Sequence, residues 1–127
     1  MSSRGAEEKL SNFEWEIMNQ VWELGSTSAR EVLENLPAEH RRAYTTIQTY
    51  LERLVEKKYL SKDKIGLVNF YRSIIPKAKA VQKETNRFVD QIFAGSKSQL
   101  ATYLLGQGDI NPADLEKIRL LLGDDND

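Results

Sequence analysis

Three short helical stretches, a two-stranded hairpin and three further helical stretches predict a mainly α fold with a small β-hairpin. Two observations carry that prediction. Apolar residues recur at three- and four-residue spacing over most of the chain. Only the segment LSKDKIGLVNFYRSII (60–75) departs from it, with β-branched and aromatic residues around a single Gly66, the pattern of a hairpin. A length of 127 residues suits one compact domain, or a small domain with an appendage.

The first helix is expected to start at Ser11, where SNFE places Glu14 three residues after a serine as in a capping box. Phe13, Ile17, Met18, Val21, Trp22 and Leu24 follow at helical spacing, and Gly25 stops the run. SARE repeats the capping signature with Ser28 and Glu31, and Val32, Leu33 and Leu36 supply a short apolar face that Pro37 ends. PAEHRR reads as a loop. A third helix from about Tyr44 to Lys58 is expected to bury Tyr44, Ile47, Leu51, Leu54 and Val55. At 100° per residue its opposite face carries Thr45, Thr49, Glu52, Arg53 and Glu56, with Thr46 and Gln48 on the flanks. Two strands alone are marginal, so the hairpin must lean on these helices. Helix, helix, helix and basic hairpin is the order of a winged helix-turn-helix.

From Pro76 the chain turns helical again. Val81, Phe88, Val89, Ile92 and Phe93 lie along one side of a helix ending at Gly95, and Leu100, Tyr103, Leu104 and Leu105 belong to a second. NPAD opens the last helix, with Asn111 as cap and Pro112 in the first helical position; Leu115, Ile118, Leu121 and Leu122 form its apolar stripe. GDDND reads as an acidic tail. These helices are too short and one-sided to be stable alone. They either fold back on the first domain or pair with a second chain, and their stripes at the chain end favour pairing through Phe88, Ile92, Leu100, Leu104, Leu105, Leu115, Ile118, Leu121 and Leu122. The expected division is 1–75 for a winged-helix domain and 76–127 for a helical dimerisation domain.

Hydrophobic residues make up 40% and charged residues 29%, as in folded soluble proteins. No apolar run reaches the roughly 18 residues of a membrane span, MSSRGAEEKL lacks a signal-peptide core, and cysteine is absent, so a cytoplasmic location is expected without disulfides or thiolate metal sites. The net charge of −1 hides an asymmetry. Residues 1–39 hold three basic residues against eight acidic ones, a net of −5, whereas residues 40–64 hold seven against three, a net of +4. The basic segment spans the third helix and suits an anionic partner; a merely solvated charge run is at least as good an account of composition alone.

LSNFEWEIMNQVWELGSTSAREVLENLP, YTTIQTYLERLVEKKYL and DINPADLEKIRLLL resemble the penicillinase-repressor (BlaI/MecI) family of bacterial transcription repressors, in order and spacing from about Leu10 to Leu122. The resemblance implies a winged-helix DNA-binding domain, a helical dimerisation domain, and a homodimer that blocks transcription from a palindromic DNA operator. It makes the third helix the recognition helix and the Lys62–Arg72 hairpin the wing. Recognition-helix N-termini face base edges in the major groove. Thr45, Thr46 and Thr49 offer hydroxyls and methyls there, and Gln48 can grip adenine through two hydrogen bonds. Arg41, Arg42, Lys62 and Lys64 can neutralise phosphates. The chain departs from the family in Gln48, where Lys is frequent, and in Ala43, where Ser would cap the helix. Its wing tip, KIGLVN, is also less charged. One branch of the family is cut at an Asn-Phe bond by an upstream signalling protease, a partner the resemblance implies only weakly here, since the aligned bond is Tyr103-Leu104. The copper-responsive branch uses C-terminal cysteines, which this chain lacks.

Plainer readings stand beside these. Trp15 and Trp22, two turns apart, suit core packing. His40, the single histidine, has neither a second ligand nor a nucleophile near it in sequence, so a surface role is expected. Tyr50 suits half-buried packing. Glu52 and Glu56 weigh against DNA, since carboxylates repel phosphates. No phosphate loop, metal-ligand spacing or Ser/His or Cys/His pair is present, so no enzyme activity and no cofactor are expected. A winged-helix protein-interaction adaptor without DNA binding is the alternative function, and a small-molecule sensor is a third.

Overall fold

The computed structural model describes residues 9–108 and 110–121, apart from the side chains of Leu115, Ile118, Arg119 and Leu121. The chain divides after Pro76 into two compact units.

In the first unit, α1 (Asn12–Leu24) is opened by a complete capping box. Ser11 Oγ accepts from Glu14 N at 3.2 Å, and Glu14 Oε1 accepts from Ser11 N at 2.7 Å. Gly25, at φ +83°, closes it by donating to Val21 O at 2.9 Å. A second capping box, Ser28 with Glu31, opens α2 (Ala29–Asn35). Part of the expected PAEHRR loop is a 3-10 turn at Ala38–His40, closed by His40 N donating to Pro37 O at 2.8 Å. Next, α3 (Tyr44–Glu56) ends before the expected Lys58. Lys58 takes a left-handed φ of +69°, its N–H reaches Val55 O at 3.0 Å, and Tyr59 N reaches Leu54 O at 3.0 Å. That pair of bonds is a Schellman stop, here on a lysine rather than the usual glycine.

The hairpin pairs β1 (Leu60–Ile65) with β2 (Val68–Ser73), from Leu60 opposite Ser73 to Ile65 opposite Val68. Gly66, at φ +65°, supplies the tight turn. An isolated bridge joins Thr27 to Tyr71, with N–H to O distances of 2.9 and 2.7 Å, so the loop before α2 adds a one-residue third strand. The expected leaning of the hairpin on the helices is therefore real: β2 packs on α1 and β1 on α3. Chain order and pairing are those of a winged helix-turn-helix.

Ile17, Met18, Val32, Ile47, Leu51 and Leu54 are fully buried at the centre of this unit. Four expected core residues are not. Leu24 ends α1 and is exposed, Val55 and Leu33 are half-buried, and Tyr44 in the first turn of α3 is exposed. Tyr44 instead lies under the Arg30 guanidinium, 5.2 Å from its ring centre. Trp15 and Trp22 are half-buried with ring centres 5.9 Å apart, and Trp22 Nε1 donates to Ser73 Oγ and Ile75 O at 2.9 and 3.0 Å. His40 is a surface residue 3.0 Å from Glu16.

In the second unit, α4 (Lys77–Ile92) is followed by Ala94 and Gly95, both at positive φ, then α5 (Lys97–Gly106) and α6 (Pro112–Leu121). Asn111 Oδ1 caps α6, accepting from Asp114 N at 2.8 Å. Its described core is thin: Val89 and Leu100 are buried, with Phe93 and Leu104 packed against them. Phe88, Ile92, Tyr103 and Leu105 are exposed. Leu122 and the acidic tail lie outside the described residues, as do the side chains of Leu115, Ile118 and Leu121. Among the described residues no helix is long and apolar enough to cross a membrane.

Candidate nucleic-acid interface

Packing decides which face of α3 remains for a partner. Ile47, Leu51 and Leu54 turn inward, which leaves Thr45, Gln48, Thr49, Glu52, Arg53 and Glu56 facing out. With Asn69 and Tyr71 of β2 they line an open groove of about 580 Å³ between helix and hairpin. Thr45 and Thr49 are exposed, whereas Thr46 and Gln48 are half-buried. Thr49 Oγ1 donates to Thr45 O at 3.0 Å, so its one hydroxyl proton is committed. What Thr49 offers a partner is therefore an acceptor oxygen and a methyl group. Ala43 sits at the cap position of α3 and makes no side-chain cap, as its departure from the family's serine implies. Thr46 N donates to Ala43 O at 2.9 Å, the N–H groups of Tyr44 and Thr45 before it have no side-chain cap, and no acidic side chain in the first turn opposes an anion there.

The basic residues singled out by sequence are placed very differently from one another. Arg41 donates through Nε to Leu36 O at 3.1 Å and through a terminal nitrogen to Glu34 O at 2.8 Å, so it closes the carbonyl end of α2. Arg42 stacks over Phe13, 4.0 Å from the ring centre. Both remain exposed and present the rest of their guanidinium to solvent. Lys62 Nζ donates to both carboxylate oxygens of Glu52 at 3.0 Å. Lys64, two residues along β1 on the same face, has no ion pair among the described residues.

Glu52 thus joins helix to hairpin. It also accepts from the Tyr71 hydroxyl at 2.6 Å. Burial works to raise the Glu52 carboxyl, but hydrogen bonds from Tyr71 and Lys62 outweigh it and hold the group below its ordinary value of 4.5. Burial, then the bond to Glu52, push the Tyr71 phenol upward. Asn69, Tyr71 and this role of Glu52 were missed by sequence reasoning. Alternation along β2 places Asn69 and Tyr71 on one strand face, a signal that could have found them. A second carboxylate, Glu14, is 1% exposed and bonds to Lys57 Nζ at 2.8 Å. Burial works to raise it, yet Lys57 and Ser11 together hold it below 4.5.

At the hairpin tip Leu67 is 95% exposed and Ile65 65%, which makes the wing end apolar rather than basic. Among the described residues no group of three or more His, Cys, Asp or Glu could hold a metal ion.

Three helices with a β-hairpin packed on them, and a groove between α3 and that hairpin, define a winged helix-turn-helix protein. The chain belongs to the penicillinase repressor family, whose model matches residues 10–124. It is 24% identical over 114 residues to the methicillin resistance regulatory protein MecI of Mammaliicoccus sciuri, covering 90% of this chain and 93% of that one. With a penicillinase repressor of Staphylococcus aureus it shares 26% identity over 116 residues, covering 91% and 92%. A 16.5 kDa protein from the ptsI 3′ region of Latilactobacillus sakei is 27% identical over 114 residues, covering 90% and 78%. A solved structure titled CopR repressor is 34% identical, covers 54% of this chain and 99% of its own, and superposes with a TM-score of 0.46.

Proposed function

We propose that the protein is a DNA-binding transcriptional repressor that acts in the cytoplasm as a homodimer on a palindromic operator and carries no enzymatic activity. The observation that carries this reading is the outward face of α3, where Thr45, Gln48 and Thr49 present hydrogen-bonding groups and methyls without charge. Lysine or glutamate would solvate such a face and favour helix better, so a readout role accounts for their choice. Thr methyls suit thymine, and Gln48 suits adenine. Lys64 and the outer faces of Arg41 and Arg42 supply phosphate contacts. A relative named as a penicillinase repressor supports the same reading.

The exposed Phe88, Ile92 and Leu105 of the second unit are the pairing surface in this proposal. Leu100 is consumed inside its own unit against Val89, and Leu104 packs beside it. A twofold dimer would set its two α3 helices about 34–36 Å apart, one turn of the duplex.

Fluorescence anisotropy on the DNA upstream of the protein's own coding sequence, against a scrambled duplex, tests the proposal with salt stepped from low to physiological. Tight binding to the native duplex that weakens steeply with salt is expected. Alanine at Thr45 or Gln48 should relax preference at single base pairs by about 1–3 kcal/mol each. Glu52, Glu56 and the apolar wing tip favour a second reading, a winged-helix adaptor for a protein partner. That reading predicts no salt-dependent binding to any duplex.

A further inference from the structure

We propose that Glu52 is a positioning residue that withholds Lys62 from the DNA backbone, and so sets how many phosphates the wing contacts without reading bases. This deepens the repressor reading and rests on it.

Three observations carry it. Lys62 and Tyr71 are directly opposed in the β1–β2 register, and both converge on the Glu52 carboxylate, at 3.0 and 2.6 Å. The lysine therefore reaches back across the groove to α3. Next, the carboxylate is anchored on its other side. Tyr71 is 2% exposed, and its backbone exchanges two hydrogen bonds with Thr27, so the phenol cannot follow a lysine drawn toward a phosphate. Lastly, the ion pair lies at the surface, with side-chain exposures of 36% for Lys62 and 42% for Glu52. Without Glu52, nothing in this arrangement would keep the ammonium from solvent or from an anion. Lys64 on the same strand face shows the alternative, a lysine with no such partner among the described residues.

Glu52 and Lys62 together form a neutral unit beside the groove, and Arg53 offsets the negative charge of Glu56 one turn along α3. The groove then offers phosphate no net attraction at its far end. Affinity for DNA of every sequence is lowered, while the readout groups of α3 at the near end are untouched.

The test is the slope of log affinity against log salt on a random-sequence duplex. It is measured for the wild type, Glu52→Gln and the charge-neutral pair Glu52→Gln with Lys62→Met, each checked for an intact thermal transition. Glu52→Gln is expected to bind more tightly, with a slope steeper by about 0.9, as one released lysine engages one phosphate. The double variant should return to the wild-type slope. A gain of this kind is not what loss of a merely structural strut would give. If Glu52→Gln shows the wild-type slope, or if the double variant falls below it by about 0.9, Lys62 already contacts phosphate and the proposal is overturned. If the wild type binds neither this duplex nor one selected from a random pool, the repressor reading itself fails and takes the inference with it.

Discussion

The first unit closes its hydrophobic core and the second leaves much of its apolar surface open. Around α1, α2 and α3 the residues Ile17, Met18, Val32, Ile47, Leu51 and Leu54 lose all contact with solvent, and both capping boxes lie here. Around α4, α5 and α6 only Ala80, Val89 and Leu100 are buried among the described residues, while Phe88 and Ile92 stay 45% and 60% exposed. Burial of apolar surface is the main term that offsets chain entropy, so these units differ in how far they can stabilise themselves. A unit with a closed core is free to spend its outer face on a ligand. One with an open core leaves apolar side chains such as Phe88 and Ile92 facing solvent.

Core truncation should separate the two units most. Leu51→Ala empties a site ringed by buried residues and is expected to cost about 2–5 kcal/mol in denaturant unfolding. Leu100→Ala, beside only Val89, Phe93 and Leu104, should fall at the low end of that range. Equal costs would break the contrast.

Acid should act on the first unit through Glu14. Its folded value lies below 4.5, so its contribution is complete above 4.5 and is lost as pH falls through the lower folded value. Glu14→Gln removes charge-assisted bonds from Lys57 and Ser11, and should cost about 1.5–3 kcal/mol at neutral pH. It should also flatten the stability profile below 4.5. Urea titrations at several pH values check both.

Pairing, if it completes the second unit, makes stability depend on protein concentration, by about 1.4 kcal/mol for each tenfold. Changing Phe88 and Ile92 together to Asp should abolish that dependence in thermal scans and yield a monomer by sedimentation. The buried core of the first unit should be untouched.

The smallest effects are at caps. Ser11→Ala should lose about 1 kcal/mol, whereas Ala43→Ser should gain a fraction of that, since α3 starts uncapped. Comparing the two by thermal denaturation measures how much helix-end stability α3 forgoes.

Much of this division can be read from residue order. The capping boxes at Ser11 and Ser28 are local, three residues apart, and formed as the pattern implies. So is the Gly66 turn, because only the turn residue needs positive φ. Tyr44 shows where periodicity fails: it continues the apolar stripe of α3 but precedes the turns of that helix that are covered. The candidate site was less legible. The uncharged face of α3 follows from 100° per residue, but charge totals do not reveal that Arg41 closes α2 or that Lys62 pairs with Glu52 ten residues away. Those are tertiary facts, set by how strands and helices meet.

Tyr71 has a consequence for motion. Its amide and carbonyl bond to Thr27 before α2, and its phenol bonds to Glu52 on α3. A wing attached at three places by one buried residue has no hinge of its own. Opening it exposes the Thr27 and Tyr71 amides together and releases Glu52 in the same event. Hydrogen exchange at these two amides should therefore proceed at one shared rate, that of the domain's cooperative opening, rather than at the faster rate of a fraying hairpin.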